Sequence, residues 1–138
     1  MEMVYDFEIQ GHKWVLVRKV ERKMIYRIIP VSKPRQTRSD KWKQRPCVMR
    51  YRAFADACRE AGMKIPEYGA SITFYIPMPK SWSKKKKIDM NGAPHQSRPD
   101  LDNLLKSILD AVYADDSVVW QIKELKKIWC QQGGIQII

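Results

Sequence analysis

The sequence predicts a single α+β domain in which two main helices cover a small mixed β-sheet. Three observations support this fold class: β-branched and aromatic runs at both ends of the chain, a helical pattern over 48–62, and a stronger helical pattern from residue 101. A length of 138 residues is enough for one hydrophobic core and short for two. We therefore expect one domain over 1–138.

The first part of the chain is typical of extended structure. β-branched and aromatic residues dominate Val4–Ile9, Trp14–Val17 and Met24–Ile29, and Pro30 ends the last of these segments. We expect two or three strands here, with 1–22 as a strand extension of the domain.

A strongly basic segment runs from Val31 to Arg52, where Asp40 is the single acid. Lys and Arg that neutralise DNA phosphates release counterions, which favours binding. We predict a flexible arm that contacts nucleic acid, and a solvated loop is the alternative. The candidate contacts are Lys33, Arg35, Arg38 and Lys41.

A core helix and a strand are predicted next. Apolar residues recur at helical spacing: Val48, Tyr51, Ala55 and Cys58. Gly62 is placed to stop this helix. Ser71–Ile76 is β-branched and aromatic and is closed by Pro77, which predicts a strand.

The segment 77–98 is rich in proline and contains four consecutive lysines, Lys84, Lys85, Lys86 and Lys87. Adjacent like charges repel one another, so we expect a flexible basic linker without regular structure that binds phosphate. Trp82 and His95 are interpreted as packing or exposed residues, and stacking on DNA bases is the alternative.

The clearest helix follows. One apolar stripe has the spacing i, i+3, i+4, i+7, i+8, i+11: Leu101, Leu104, Leu105, Ile108, Leu109 and Val112. This stripe predicts a helix packed on the sheet. We then expect a long strand from Val118 to Trp129, whose apolar phase shifts midway at a bulge, and a closing strand over Ile135–Ile138.

Acidic residues are concentrated around this helix, although the chain has a formal net charge of +11. They are Asp100, Asp102, Asp110, Asp115 and Asp116. Close carboxylates raise each other's pKa unless a cation neutralises them, which suggests a divalent metal. With two isolated histidines and three widely spaced cysteines, oxygen ligands and Mg²⁺ or Mn²⁺ are favoured over zinc.

The start of the helix decides which of these side chains share a face. If Asp102 is the N-cap, Asp100 lies two residues back in extended chain, and both carboxylates can face one side. Lys106 lies four positions after Asp102, about 40° around the helix, on the same flank. The alternative is that Asp102 only caps, Asp100 is solvated, Asp110 pairs with Lys106, and the acids at 115–116 mark a turn.

The composition argues against a disulfide-rich protein, a membrane-spanning protein and a protein that binds a membrane surface. The odd, widely spaced cysteines do not form a disulfide framework, and we expect buried free thiols. No apolar run approaches the roughly 20 residues of a membrane span, and the N-terminus does not resemble a signal peptide, so we expect a soluble, intracellular protein. A pI near 9.7 favours nucleic acid as partner over a membrane surface.

One motif resembles a known family. The run Arg98-Pro-Asp-Leu-Asp-Asn-Leu-Leu-Lys106, followed by Leu109-Asp-Ala-Val112 and Asp115-Asp-Ser-Val-Val119, is similar to that of the RusA family of Holliday-junction resolvases. The resemblance extends from about Tyr26 to the C-terminus. In some members Arg directly precedes the first Asp, whereas here Pro99 stands between Arg98 and Asp100.

The resemblance implies a small, homodimeric, Mg²⁺-dependent endonuclease of the bacterial cytoplasm, often phage or prophage encoded, for which Mn²⁺ can substitute. Its substrate would be a four-way DNA junction, cut in pairs during recombination and repair. At the matching motif positions, the resemblance implies metal binding by Asp100, Asp102 and Asp116. It gives Asp115 as a further candidate ligand and Lys106 as a catalytic residue. Arg98 joins the DNA-binding candidates. The alternatives are a nuclease for other branched DNA and a non-catalytic nucleic-acid-binding protein.

Overall fold

A computed structural model describes residues 5–9, 12–16, 24–35, 37–41 and 44–138. Its elements, in chain order, are β1 (Tyr5–Ile9), β2 (His12–Leu16), β3 (Met24–Tyr26), a first 3-10 helix (Arg38–Lys41), α1 (Pro46–Glu60), β4 (Ala70–Pro77), α2 (Lys84–Met90), α3 (Leu101–Val112), a second 3-10 helix (Asp116–Val118), β5 (Ile122–Cys130) and β6 (Gly134–Ile137). The predicted strand residues Val4 and Val17 lie outside the described ranges.

The strands form two sheets. β1 and β2 pair antiparallel, with Phe7 opposite Trp14, which confirms strands in the N-terminal extension. The main sheet has the order β3-β6-β4-β5. In it β4 runs parallel to β5 and antiparallel to β6, and β6 is also antiparallel to β3. This sheet is mixed, and with the helices it confirms the predicted α+β domain.

The core lies where α1 and α3 pack on the main sheet. Alternate residues of β4 enter it, as expected for a strand with one face on the core: Ala70, Ile72, Phe74 and Ile76. In α3, Leu104 and Ile108 are fully buried, while Leu101, Leu105, Leu109 and Val112 are half-buried against the same core. The apolar stripe predicted for this helix is therefore confirmed.

A hydrogen bond joins the two covering helices. The Tyr51 hydroxyl of α1 donates to the backbone carbonyl oxygen of Ser107 in α3 at 2.9 Å, and both residues are buried. Burial raises the pKa of Tyr51 to about 12, so the hydroxyl remains a donor at neutral pH. This bond fixes α3 relative to α1.

Several element boundaries differ from the predictions. β3 ends at Tyr26 instead of Ile29, and α1 begins at Pro46, inside the segment predicted as a flexible arm. β5 begins only at Ile122, because the second 3-10 helix occupies Asp116–Val118. The pairing register shifts between the pairs Ala70–Ile122 and Ser71–Glu124, which places an irregularity at Lys123, near the start of β5 and not midway along it.

The four consecutive lysines are helical, so the prediction that they lack regular structure is wrong. They begin α2, whose N-cap Ser83 accepts a hydrogen bond from the Lys86 backbone nitrogen at 3.1 Å. The Lys86 ammonium lies 4.2 Å from the centre of the Trp82 ring. The cap and this cation–π contact stabilise a turn that charge repulsion alone would disfavour.

The prediction that the thiols are free is confirmed, but the prediction that they are buried holds only for Cys58. Cys58 is buried, Cys47 and Cys130 are half-buried, and all three are free. Burial raises the pKa of Cys58 to about 11. Among the helices in the described ranges, none is long and apolar enough to cross a bilayer.

Candidate active site

The first acid of the motif, and not the second, caps α3. Asp100 has extended backbone angles (φ −71°, ψ 146°), and its carbonyl oxygen accepts the Leu104 backbone nitrogen at 3.1 Å. The condition considered from the sequence, that Asp102 is the N-cap, is therefore not met. Asp102 is the second residue of the helix, and its Oδ1 accepts a hydrogen bond from the Asn103 backbone nitrogen at 2.9 Å.

Both carboxylates nevertheless remain at the N-terminal end of α3. Asp100 and Asp102 are exposed, and the Asp100 side chain makes no capping hydrogen bond. The partial positive charge of a helix N-terminus favours anionic groups in this first turn. The pair therefore presents exposed carboxylate oxygens in the position that the sequence predicts for the metal site.

Lys106 lies one turn further along the helix, beside a third acid. Its Nζ is 3.5 Å from Oδ2 of Asp110, which confirms the i,i+4 pairing considered from the sequence. The same oxygen accepts a hydrogen bond of 2.6 Å from Nζ of Lys33, which lies 77 residues earlier in the chain. Asp110 therefore ties the basic segment to α3.

The charge of Asp110 depends on these partners. Burial disfavours its ionised form, but the hydrogen bond and charge of Lys33 and the charge of Lys106 outweigh burial and lower its pKa. Asp110 is therefore an anion at neutral pH. Its charge partly compensates the two ammonium groups beside it.

The acids after α3 adopt distinct local roles. Asp115 caps the second 3-10 helix, because its Oδ1 accepts the Ser117 backbone nitrogen at 3.1 Å and the Ser117 hydroxyl at 2.7 Å. These hydrogen bonds hold the pKa of Asp115 below its ordinary value. Asp116 is half-buried and lies near Asp110.

The acidic residues therefore form two groups along α3. Asp110 lies eight residues after Asp102, about 12 Å at 1.5 Å per residue. Within the part of the chain that the structure describes, no three Asp, Glu, His or Cys side chains lie close enough together to hold a metal ion. Mg²⁺ is often bound by one or two carboxylates together with water and substrate phosphate, so the exposed pair Asp100 and Asp102 fits its chemistry.

Two clefts open beside the first half of α3. The larger, of about 680 Å³, contains Asp100, and two Arg side chains, Arg50 and Arg98, line it. The smaller, of about 440 Å³, is lined by three basic residues, Lys33, Arg35 and Lys106. Pro34 and Asn103 border both clefts. The basic side chains predicted at 33, 35 and 98 are thus brought to the acidic helix.

The basic segment contains regular structure in the first 3-10 helix and at the start of α1, so the expectation of a flexible arm is wrong for those residues. Arg45 donates from Nε and a terminal nitrogen to the two carboxylate oxygens of Asp40 at 2.7 and 2.8 Å. It also donates to the Arg35 carbonyl oxygen at 2.8 Å. The hydrogen bond from Arg45 holds the pKa of Asp40 well below its usual range. The single acid of the segment thus organises the chain around it.

Arg38 and the lysines of α2 do not line either cleft. Arg38 begins the first 3-10 helix and is exposed, while Lys41 ends that helix and its side chain lies outside the described part. On α2, Lys84, Lys85 and Lys86 are exposed and Lys87 is half-buried. The structure places Arg38 and the lysines of α2 on surface elements of the domain, and no described contact joins them to the acids of α3.

The aromatic residues before α3 pack inside the protein. His95 is 3% exposed, and its ring centre lies 4.3 Å from that of Trp129, which also contacts Trp82 at 4.7 Å. Packing, the favoured interpretation of His95, is confirmed. Burial, followed by the charge of Lys127, lowers the pKa of His95, so its ring is neutral at pH 7.

A residue that the sequence does not single out contacts the approach to Asp100. Lys127 of β5 donates from Nζ to the carbonyl oxygens of Ser97 and Pro99 at 2.5 and 2.6 Å. It lies 28 residues from Pro99, and no local pattern signals the contact. By contrast, the pairing of Lys106 with Asp110 could be found from i,i+4 spacing.

Comparison with known proteins identifies the family. The family described as endodeoxyribonuclease RusA matches residues 26–138, which include the main helices, β4 to β6 and every acid of the motif. Neither the curated proteins nor the solved structures that were searched contain a match. Nucleases of this family are metal-dependent, act on DNA junctions and are typical of bacteria and prophages. The chain therefore belongs to the RusA family of Holliday-junction resolvases, endodeoxyribonucleases that hydrolyse phosphodiester bonds.

Proposed function

We propose that this chain resolves four-way DNA junctions with Mg²⁺ held at the N-terminal end of α3 by Asp100 and Asp102. The observation that supports this best is the exposed pair of carboxylates, two residues apart, beside two clefts lined with Arg and Lys. A nuclease needs this combination because its substrate phosphate is anionic and its metal needs oxygen ligands. Mn²⁺, which takes the same ligands, is the expected substitute.

Asp116 is the proposed third metal ligand. Asp115 is a further candidate ligand, with a weaker case than Asp116. Asp116 lies at the second acidic group, next to Asp110, so its ligation requires it to approach the N-terminal pair or to meet the ion through water. Oδ1 of Asp115 already accepts two hydrogen bonds from Ser117, which leaves only Oδ2 for a ligand.

The bound ion would activate a water molecule and offset charge on the scissile phosphate. Asp100 and Asp102 would hold the ion at the N-terminal end of α3. Lys106 contributes a positive charge to the phosphate as it becomes more negative in the transition state. Its side chain is 58% exposed and its Nζ is 3.5 Å from Oδ2 of Asp110, so the remaining ammonium donors are available to a phosphate oxygen.

The basic side chains of the two clefts are proposed to hold the DNA backbone. Arg50 and Arg98 flank Asp100, while Lys33 and Arg35 flank Lys106. Phosphates on both sides of the cut would therefore meet positive charge. Arg38, Lys41 and the lysines of α2 would contact the junction arms further out, where they add affinity without taking part in the chemistry.

A homodimer is proposed because a four-way junction contains two strands to cut. In a dimer with two-fold symmetry, each subunit presents the same site to one of two opposed strands. The paired cuts of a resolvase then follow from geometry. Sedimentation of the protein with and without a junction measures the stoichiometry, and one subunit per junction would contradict this part of the proposal.

The decisive variant is Asp102→Asn. It keeps the size of the side chain and removes the negative charge that binds the ion, so we expect Mg²⁺-dependent cleavage of an immobile four-way junction to fall about 100-fold or more. Junction binding in the absence of metal should persist. The matched control is Asp89→Asn, another exposed acid, which lies on α2.

Cleavage by Asp102→Asn at the wild-type rate would sink the metal assignment. The substrate is tested in the same assay by comparing a four-way junction with a flap, a fork and plain duplex. Symmetrical nicks in the four-way junction support a resolvase. Faster cutting of flaps or forks would instead favour the alternative of a nuclease for other branched DNA.

A further inference from the structure

The segment that leads into the active site is attached to the edge strand of the main sheet. β5 lies at one end of the strand order, and residues 92–95 run along its outer edge. Gly92 donates to the Trp129 carbonyl oxygen at 2.8 Å, and Trp129 donates back to Ala93 at 2.9 Å. The backbone nitrogen of His95 donates to Lys127 at 3.1 Å. This pairing covers the strand edge and ends at His95.

Backbone support is missing over the next four residues. In the described structure, residues 96–99 take part in no hydrogen bond between main-chain atoms, and pairing resumes only where Leu104 donates to Asp100. Gln96, Ser97 and Arg98 are exposed. Holding such a connection in one conformation costs backbone entropy that no main-chain hydrogen bond offsets. Something other than the main chain must therefore hold the position from which Asp100 projects.

Lys127 provides that support. Its Nζ donates to the Ser97 carbonyl oxygen at 2.5 Å and to the Pro99 carbonyl oxygen at 2.6 Å. The Pro99 carbonyl belongs to the peptide group that it shares with Asp100. A charged donor strengthens both bonds, and a lysine ammonium has three donors, so one group can bridge two carbonyls.

We propose that Lys127 is a positioning residue for the metal site, which fixes the backbone before Asp100 so that the Asp100 and Asp102 carboxylates are already placed when Mg²⁺ arrives. The inference rests on the proposed role of Asp100 as a metal ligand. Without Lys127, metal binding must itself order residues 96–99. The expected defect is therefore in affinity for the ion, with little change in the rate once the ion is bound.

The adjacent residue offers a matched control. Lys126 precedes Lys127 on β5, and its side chain therefore points to the opposite face of the strand. It is 51% exposed, and its Nζ is 3.8 Å from Glu124. Neutralising Lys126 removes the same charge from the adjacent position, without removing a bond to residues 96–99.

The test compares Lys127→Met with Lys126→Met in the full-length protein. Calorimetric titration with Mg²⁺ alone measures the dissociation constant, and the Mg²⁺ concentration for half-maximal junction cleavage measures the effect on activity. For Lys127→Met we expect both quantities to rise about 10-fold, as for other residues that support metal ligands, with the rate at saturating Mg²⁺ within about 3-fold of wild type. Lys126→Met should leave both unchanged.

A second variant keeps the test decisive if the methionine variant does not fold. Lys127→Arg retains charge and donors that can reach both carbonyls, so we expect Mg²⁺ affinity within about 3-fold of wild type. Lys127→Gln, which keeps a shorter neutral donor, should show an intermediate loss. Equal Mg²⁺ affinity for wild type and Lys127→Gln, with unchanged thermal unfolding, would overturn the inference.

The variant Asp100→Asn distinguishes a failure of the proposed function from a failure of the proposed role of Lys127. If this variant binds Mg²⁺ and cleaves junctions like wild type, the proposed function itself fails. If it loses both properties while the Lys127 variants behave like Lys126→Met, the metal site stands and only the role of Lys127 is refuted.

Discussion

The ion pair between Lys33 and Asp110 should stabilise the domain measurably. It joins the basic segment to α3, with a separation of 2.6 Å and side chains that are 28% and 21% exposed. We consider Lys33→Met, Asp110→Asn and the double variant. Because Lys106 also contacts Asp110, only the double-mutant cycle isolates the contribution of Lys33.

The expected magnitude follows from burial. Exposed ion pairs contribute about 0.2–1 kcal/mol, and hydrogen bonds to charged groups about 1.5–3 kcal/mol. The pair is mostly shielded from water, so we expect a coupling free energy of about 1.5 kcal/mol. At about 2.1 cal/mol/K of unfolding entropy per residue, this corresponds to a decrease in Tm of about 5 °C for a chain of this length.

The control is an ion pair on the surface with a similar distance between nitrogen and oxygen. Arg59 and Asp56 are 3.0 Å apart, but their side chains are 55% and 70% exposed, so their coupling should be about 0.3 kcal/mol. Urea unfolding of all variants at neutral pH measures the coupling free energy of each of the two ion pairs. Equal coupling in the two pairs would refute the argument that burial strengthens the Lys33 contact.

The stabilisation should also depend on pH. The pKa of Asp110 is lower in the folded state than in the unfolded chain, where it is about 3.9. Its contribution is therefore complete above the unfolded pKa and is lost as pH falls through the folded pKa. The difference in Tm between wild type and Asp110→Asn should be constant from about pH 5.5 to about 8 and shrink below about pH 4. A difference that persisted in full at about pH 2 would contradict this linkage.

Two further outcomes test other parts of the structure. Tyr51→Phe removes a buried hydrogen bond to Ser107, so we expect a loss of about 1–2 kcal/mol in urea unfolding with the fold retained. An unchanged stability would mean that the Ser107 carbonyl finds another donor. Replacing Lys84–Lys87 with Gln should weaken junction binding and reduce the slope of log affinity against log salt by about 0.9 for each phosphate that is no longer neutralised. Anisotropy titrations at several salt concentrations measure that slope, and a slope equal to wild type would show that these lysines do not bind phosphate.

Much of the fold could be predicted from local sequence because its elements have strong periodic patterns. The stripe from Leu101 to Val112 determines both the existence of α3 and its buried face. The alternation within β4 does the same for the central strand. In each case the signal is repeated over several residues, and packing reinforces the local preference.

Boundaries and single contacts were harder to predict. Asp100 and Asp102 are both good N-cap residues, and the hydrogen bond of Leu104 to Asp100 decides between them only in the folded chain. The lysines of α2 repel one another locally, yet Trp82 contacts both Lys86 and Trp129, which lies on β5. That support comes from a distant strand and leaves no local pattern.

By itself, the sequence determined the fold class, the position of α3 and the acids that α3 carries, since each depends on residues within a few turns of one another. Only the tertiary structure decided which cations meet those acids. Lys33 reaches Asp110 across 77 residues, and Lys127 reaches Pro99 across 28. Such contacts form only when the sheet and helices pack, because their free energy depends on distances in the folded chain and not on spacing along it.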